Sequence, residues 1–271
     1  MGIYAIGSLI VLGFLGGLVK IVGGLLYGSR ALFVDAMTSL ANMVSLIVIT
    51  YYYHRSREPP DRDHPYGHHR LGFIGVVITM IAYGYVAGIA SVELVYSSEY
   101  TVLSESITYA LAGLVIYGLA IGLALRIGGF YRVYGFFTIS ELYESIVSLA
   151  ACIGGVLYSY VIDYIGAIGL TGYIFYELFE TGRETLSILV DTGASPELVN
   201  RIREIFEENG YKVLRIRIRR VAHNIYHGDV NLEVPSGTDI NRAYTNIEKL
   251  KKVIWNKYRI DLSVEITPST K

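Results

Sequence analysis

Residues 71–92 read LGFIGVVITMIAYGYVAGIASV, without one charged side chain from Leu71 to Val92. A helix needs about 20 mostly apolar residues to cross a bilayer, so this stretch is long enough to span one. Outward from it lie four more runs of the same kind. Met1 to Val19 is charge-free and resumes after Lys20 through Ser29; the others are Ala36 to Tyr53, Ile107 to Leu125 and Ser145 to Ile162. Ala31 to Val34 and the single Asp35 precede the second run. A sixth run, from Tyr164, is cut by Glu177 and Glu180 and is expected to continue as a helix out of the membrane. The first run has no basic start and similar spans follow it, so it reads as a span and not as a cleaved signal peptide.

Composition agrees. Of 271 residues, 52% are hydrophobic and 17% charged, where a soluble domain carries about 25% charged. That deficit argues against a soluble enzyme and against disorder. The net charge of −1 supplies no basic field to recruit nucleic acid. The lone Cys152 excludes an internal disulfide and a cysteine-rich zinc site. Glycine pairs such as Gly23-Gly24 and Gly128-Gly129 lack the strand-to-helix setting of a nucleotide site. The 29 glycines suit close helix packing, and the 24 tyrosines suit interfacial belts.

Loop charges orient the bundle. His54 to Arg70 holds Arg55, Arg57, Arg62 and Arg70, and the connection from the fourth span to the fifth holds Arg126 and Arg132, whereas the opposite loops hold only Arg30. By the positive-inside rule both termini are cytoplasmic, and a prokaryotic plasma membrane suits this asymmetry. The chain divides into a membrane domain, 1–190, and a water-soluble domain, 191–271, with 14 basic and 11 acidic residues in the latter. There Ser195-Pro196-Glu197 starts a helix that Gly210 ends. Lys212 to Arg220 alternates as a half-buried strand, with Val213, Leu214, Ile216 and Ile218 against Arg215, Arg217 and Arg219. Asp229 to Val234 is its hairpin partner, Asp239 to Lys257 a helix and Ile260 to Thr267 a last strand. The order α-β-β-α-β suits a small open sheet with helices on one face.

The most specific motif is Asp61-Arg62-Asp63-His64-Pro65-Tyr66-Gly67-His68-His69-Arg70, behind Pro59-Pro60. Imidazole with carboxylate suits zinc or another first-row divalent ion, and the spacing of Asp61, His64 and His68 can fold three ligands around one ion. The plainer reading is a solvated polar loop. Inside the spans the ionisable groups are Lys20, Asp35, Glu141 and Glu144, and such groups are costly and usually functional. Asp35, Thr38, Ser39 and Asn42 fall on one helix face. Ser140 with Glu144, and Glu141 with Ser145, fall on adjacent faces of the fifth span. Lys20 either pairs with Asp35 or lines a water path.

The loop motif resembles that of the cation diffusion facilitator family of metal efflux transporters, roughly Asp-x-x-His-Pro-Tyr-Gly-His-x-Arg. Ser29-Arg30-Ala31-Leu32-Phe33-Val34-Asp35-Ala36 is similar to that family's second-span start, and six spans with an αββαβ tail match its architecture. The resemblance implies an α-helical bundle of six transmembrane helices followed by a small ferredoxin-like α+β cytoplasmic domain. It implies a homodimer that exchanges a cytoplasmic divalent cation for protons, and no enzyme. The family's transport site is His or Asp followed four residues later by Asp, on both the second and fifth spans. The register carried by Ser39-Leu40 and Ser148-Leu149 places Thr38, Asn42, Ser140 and Glu144 there, with Asp35 a turn away; a shift of one residue gives Glu141 and Ser145 instead. Without histidine, and with hydroxyl, amide and carboxylate oxygens, the site leans from the family's zinc towards manganese, iron, cobalt or magnesium. The alternatives are polar residues that only glue helices together and a metal-sensing relative that does not transport.

The family's tail carries a further metal site. Its positions fall here on Tyr244, Asn231, Glu265 and Thr267, while His223 and His227 fall in the expected hairpin turn, so a full site is not expected. Arg70 and Asp191 occupy the family's charge pair between the third span's start and the sixth span's end, and Arg70→Ala is expected to loosen the dimer. Trp255 reads as core or dimer contact.

Overall fold

A computed structural model of the chain describes residues 2–127, 139–222, 225–235 and 237–269. Arg132, the Gly128-Gly129 pair and His223 lie outside the described residues. Six helices come first: α1 (Gly2–Tyr27), α2 (Arg30–Arg55), α3 (Leu71–Val95), α4 (Glu105–Ile127), α5 (Ile139–Leu157) and α6 (Tyr160–Leu189). All six are long and apolar enough to cross a membrane. They outline a helical membrane bundle, with large side chains such as Phe14, Leu26, Ile81, Leu119 and Phe179 exposed where lipid would meet them.

Lipid is as apolar as leucine, so helices associate through close packing of small residues and through polar contacts. One core cluster here is built from Ala31, Ala41, Ala87, Ala90, Ala151 and Ala167 with Val34, Val86, Leu170 and Ile174, drawn from α2, α3, α5 and α6. Gly24 lets α1 approach α2 closely, since a Cβ there would lie 2.7 Å from the Phe33 Cα.

The start of α2 is fixed by an acid on a distant helix. Ser29 is its N-cap, and the Ser29 Oγ accepts from the Leu32 amide at 3.1 Å. The fully buried Asp163 of α6 accepts from Ser29 Oγ at 2.6 Å, from the Arg30 amide at 2.7 Å and from the Tyr100 hydroxyl at 3.0 Å. Those amides belong to the orphan donors of a helix start, and the helix dipole favours an anion there.

The second compact unit comprises Pro59–Arg70 and Arg183–Lys271. This unit takes in the end of α6 from Arg183 onward. Glu184 explains part of this, because it accepts from Arg220 at 3.0 Å within that unit. After α6 come α7 (Pro196–Glu208), β1 (Lys212–Ala222), β2 (Ile225–Val234), α8 (Ile240–Tyr258) and β3 (Ile260–Pro268). Ser195 caps α7 with Pro196 at its first position, and Gly210 beyond it has φ +85°. The three-stranded sheet has the order β1-β2-β3, antiparallel between β1 and β2 and parallel between β2 and β3.

One sheet face is apolar and packs on the two helices. Val213, Ile218, Val230, Leu232, Ile260 and Leu262 join Ile202, Phe206, Ala243, Ile247, Leu250 and Ile254 in a single core. Leu214 departs from the expected inward set: a register shift between Val213 and Arg215 turns it out, to 46% exposure. His227 departs from the expected turn. β2 begins at Ile225, so His227 pairs with Arg219 on β1 and with Asp261 on β3. Burial holds its imidazole below the usual histidine range, while the Asp261 charge pulls the other way.

Two outcomes follow from this packing. Phe206 is 0% exposed, and Phe206→Ala should cost the tail about 3–5 kcal/mol. Trp255, the only tryptophan, lies on α8, so its fluorescence in a denaturant titration of the full chain reads the tail's unfolding directly. Asp163→Ala leaves the Ser29, Arg30 and Tyr100 donors without their acceptor and should cost about 1–3 kcal/mol. A lowered thermal midpoint in detergent checks it.

Candidate metal centres

The first centre is the histidine loop. Its backbone is closed by the Asp61 amide donating to the His64 carbonyl at 3.3 Å and the Gly67 amide donating to the same carbonyl at 3.0 Å. Gly67 has φ +84°, a conformation in which glycine is favoured. Asp61 Oδ1 accepts from the amides of Asp63 at 3.0 Å and His64 at 2.7 Å. The His64 backbone hydrogen bond, with a smaller contribution from the nearby imidazoles, holds the Asp61 carboxyl below its ordinary pKa. The same contacts favour the charged form of this carboxylate.

Around that carboxylate, His64 Nδ1 lies 3.3 Å from Oδ1 and His68 Nε2 lies 3.2 Å from Oδ2. All three ligand atoms fall within 4.8 Å of one another, and this is the one His/Cys/Asp/Glu trio so arranged among the described residues. Ligand bonds to a zinc-like ion run about 2.0–2.2 Å for these atoms, so a small closure would let the three reach one ion. His68 is buried, and its Nδ1 sits 3.1 Å from the Pro59 carbonyl. That contact orients the ring and leaves Nε2 facing Asp61. Arg70, at the end of the loop, pairs with Asp191, which also accepts from Arg219 at 2.8 Å.

The second centre lies between α2 and α5. Thr38 Oγ1 donates to Glu144 Oε2 at 2.9 Å, which joins one residue from each expected pair. Asn42 Oδ1 accepts from the Tyr83 hydroxyl of α3. Ser140 is within hydrogen-bonding reach of the Tyr173 hydroxyl, which also reaches Glu177, both on α6. The Ser140/Glu144 face of α5 therefore meets the Thr38/Asn42 face of α2, and every polar atom presented there is oxygen except the Asn42 amide nitrogen.

Asp35 does not join them. Lys20 is 0% exposed, and its ammonium donates to Asp35 Oδ1 at 2.8 Å, Ser39 Oγ at 3.0 Å and Ser145 Oγ at 2.7 Å. Those three bonds use all of its donors, and the Tyr117 ring lies 4.5 Å away. Asp35 also accepts from Ser148 at 2.7 Å and Ser145 at 3.3 Å. Of the two readings open for Lys20, the structure has the pair with Asp35. The two registers on α5 are both used: Ser145 serves the Lys20–Asp35 pair, and Glu144 faces Thr38. Gly113 on α4 makes room for the lysine stem, since a Cβ there would lie 2.9 Å from Lys20 Cε.

Sequence reasoning missed Tyr83, Tyr117, Tyr173 and Asp163, since among 24 tyrosines nothing marks the inward ones. Glu177 was visible only as a break in hydropathy. In the tail, Asn231 donates to Glu265 at 3.0 Å and accepts from Thr267 at 2.9 Å, and Tyr244 is exposed.

A model of the cation efflux transmembrane domain matches residues 6–190. The manganese efflux system protein MneP of Bacillus subtilis is 26% identical over 255 residues, covering 84% of this chain and 84% of that protein. Metal tolerance protein 2 of Oryza sativa is 27% identical over 264 residues, covering 83% of this chain and 67% of its own length. A second Bacillus subtilis protein, the manganese efflux system protein MneS, is 21% identical over 264 residues, covering 90% of this chain and 88% of that protein. With six membrane-length helices and a matched domain that takes in all of them, the chain is a multi-pass integral membrane protein of the cation efflux family of metal transporters.

Proposed function

We propose that the protein exports a divalent metal cation, manganese foremost, by exchange for protons, working as a homodimer with both termini in the cytoplasm. The observation that carries this reading is the buried contact of Thr38 with Glu144 at 2.9 Å, with Asn42 and Ser140 on the same two faces. A carboxylate, two hydroxyls and an amide carbonyl form a hard donor set without imidazole, which suits manganese or magnesium better than zinc. Two relatives named as manganese efflux proteins support the same ion. Iron and cobalt remain within reach of these donors.

Exchange follows from the chemistry of Glu144. A carboxylate buried at membrane depth is costly unless it holds a proton or a cation. Metal entry must therefore displace a proton, and proton entry from the acidic side must release the metal. The loop trio Asp61, His64 and His68 binds a second divalent ion, zinc or manganese, outside the spans. The soluble tail supports pairing of two chains.

Two assays test this reading. In proteoliposomes with an acidic interior, the parent should take up Mn2+ and lose uptake when the pH gradient is collapsed. Glu144→Ala should abolish that uptake, and a variant that transports like the parent contradicts the assignment. Asn42→His places an imidazole in the site and should raise the zinc-to-manganese uptake ratio several-fold; an unchanged ratio means that Asn42 does not touch the ion.

A further inference from the structure

Glu141 lies outside the set of Thr38, Asn42, Ser140 and Glu144, yet it is 1% exposed and neither of its carboxylate oxygens has a hydrogen-bond partner of acceptable geometry. Buried carboxylates are nearly always satisfied, and one left without partners needs an explanation such as a missing ion. Its neighbours do not supply one. The Tyr117 hydroxyl is close by, but it donates its single proton to the Ser39 carbonyl at 2.8 Å. Lys20 is the nearby cation, and Asp35, Ser39 and Ser145 take all three of its donors.

Charge balance points the same way. Lys20 neutralises Asp35. What is left between α2 and α5 is the charge of Glu141 and Glu144, which when ionised match one divalent cation. The two residues are three apart on α5, so their side chains rise from neighbouring positions on one side of the helix.

We propose that Glu141 is the second carboxylate ligand of the intramembrane cation, and that Lys20 keeps Asp35 out of the ligand set by holding it in a permanent ion pair. The site then takes one divalent ion on Glu141 and Glu144, with Thr38 and Asn42 completing the oxygen shell. This rests on the transport-site reading above and sharpens it. It also explains how a site with a single carboxylate in the usual positions still balances a doubly charged ion.

The test is equilibrium binding of Mn2+ to the full-length protein in detergent. Asp61→Asn with His64→Asn provides the background, so that the loop ligands do not contribute. Glu141→Gln should weaken binding about tenfold or more, the loss expected for one ligand to a charged group. Glu141→Asp should recover part of it. The metal-free Glu141→Gln protein should melt no lower than its background, because an unpaired buried carboxylate has been removed; a purely structural Glu141 would lower the melting point. If Glu141→Gln binds Mn2+ like the background while Glu144→Gln does not, the inference falls and the transport-site reading stands. If the background itself binds no Mn2+, both fall.

Discussion

The ammonium group of Lys20 organises the membrane domain. It reaches from α1 to Asp35 and Ser39 on α2 and to Ser145 on α5, and it lies over the Tyr117 ring of α4. A buried ion pair of this kind is expensive to assemble, but removing one partner leaves a bare charge in a low-dielectric interior, at about 3–5 kcal/mol. Four helices, α1, α2, α4 and α5, are therefore tied together at one buried ammonium. The faces of α2 and α5 that meet at Thr38 and Glu144 lie one turn from the pair.

The two candidate centres divide the chemistry between them. The loop offers two imidazoles and a carboxylate whose backbone hydrogen bonds favour its charged form. The membrane centre offers oxygen, with hydroxyl groups arranged around buried carboxylates. A borderline ion is served by the first set and a hard one by the second. On the proposed function, the two donor sets would differ in the ion they prefer.

Much of the fold is legible in the sequence because lipid imposes a coarse rule: long charge-free runs must be helices. The tail is legible for another reason, since Ser195-Pro196 and the alternation of β1 are local signals of local structure. Failures come where a long side chain or a single extra residue decides the outcome. Spacing cannot say where a four-carbon lysine stem points, so Lys20 stays ambiguous until Gly113 is seen to leave it room. A bulge moves Leu214 to the surface without changing the pattern around it. On α5, spacing of four residues offers two faces, and only the neighbours on α1 and α2 separate the one that meets Lys20 from the one that meets Thr38.

Locating the bound ion tests the central claim most directly. A structure of the full-length protein with Mn2+, solved with anomalous scattering at the manganese edge, should show a peak between α2 and α5, within bonding distance of carboxylate oxygens on α5 and of Thr38 or Asn42. The Lys20–Asp35 contact should remain intact beside it. A peak seated on Asp35 with Lys20 displaced, or manganese at the loop alone, contradicts the account.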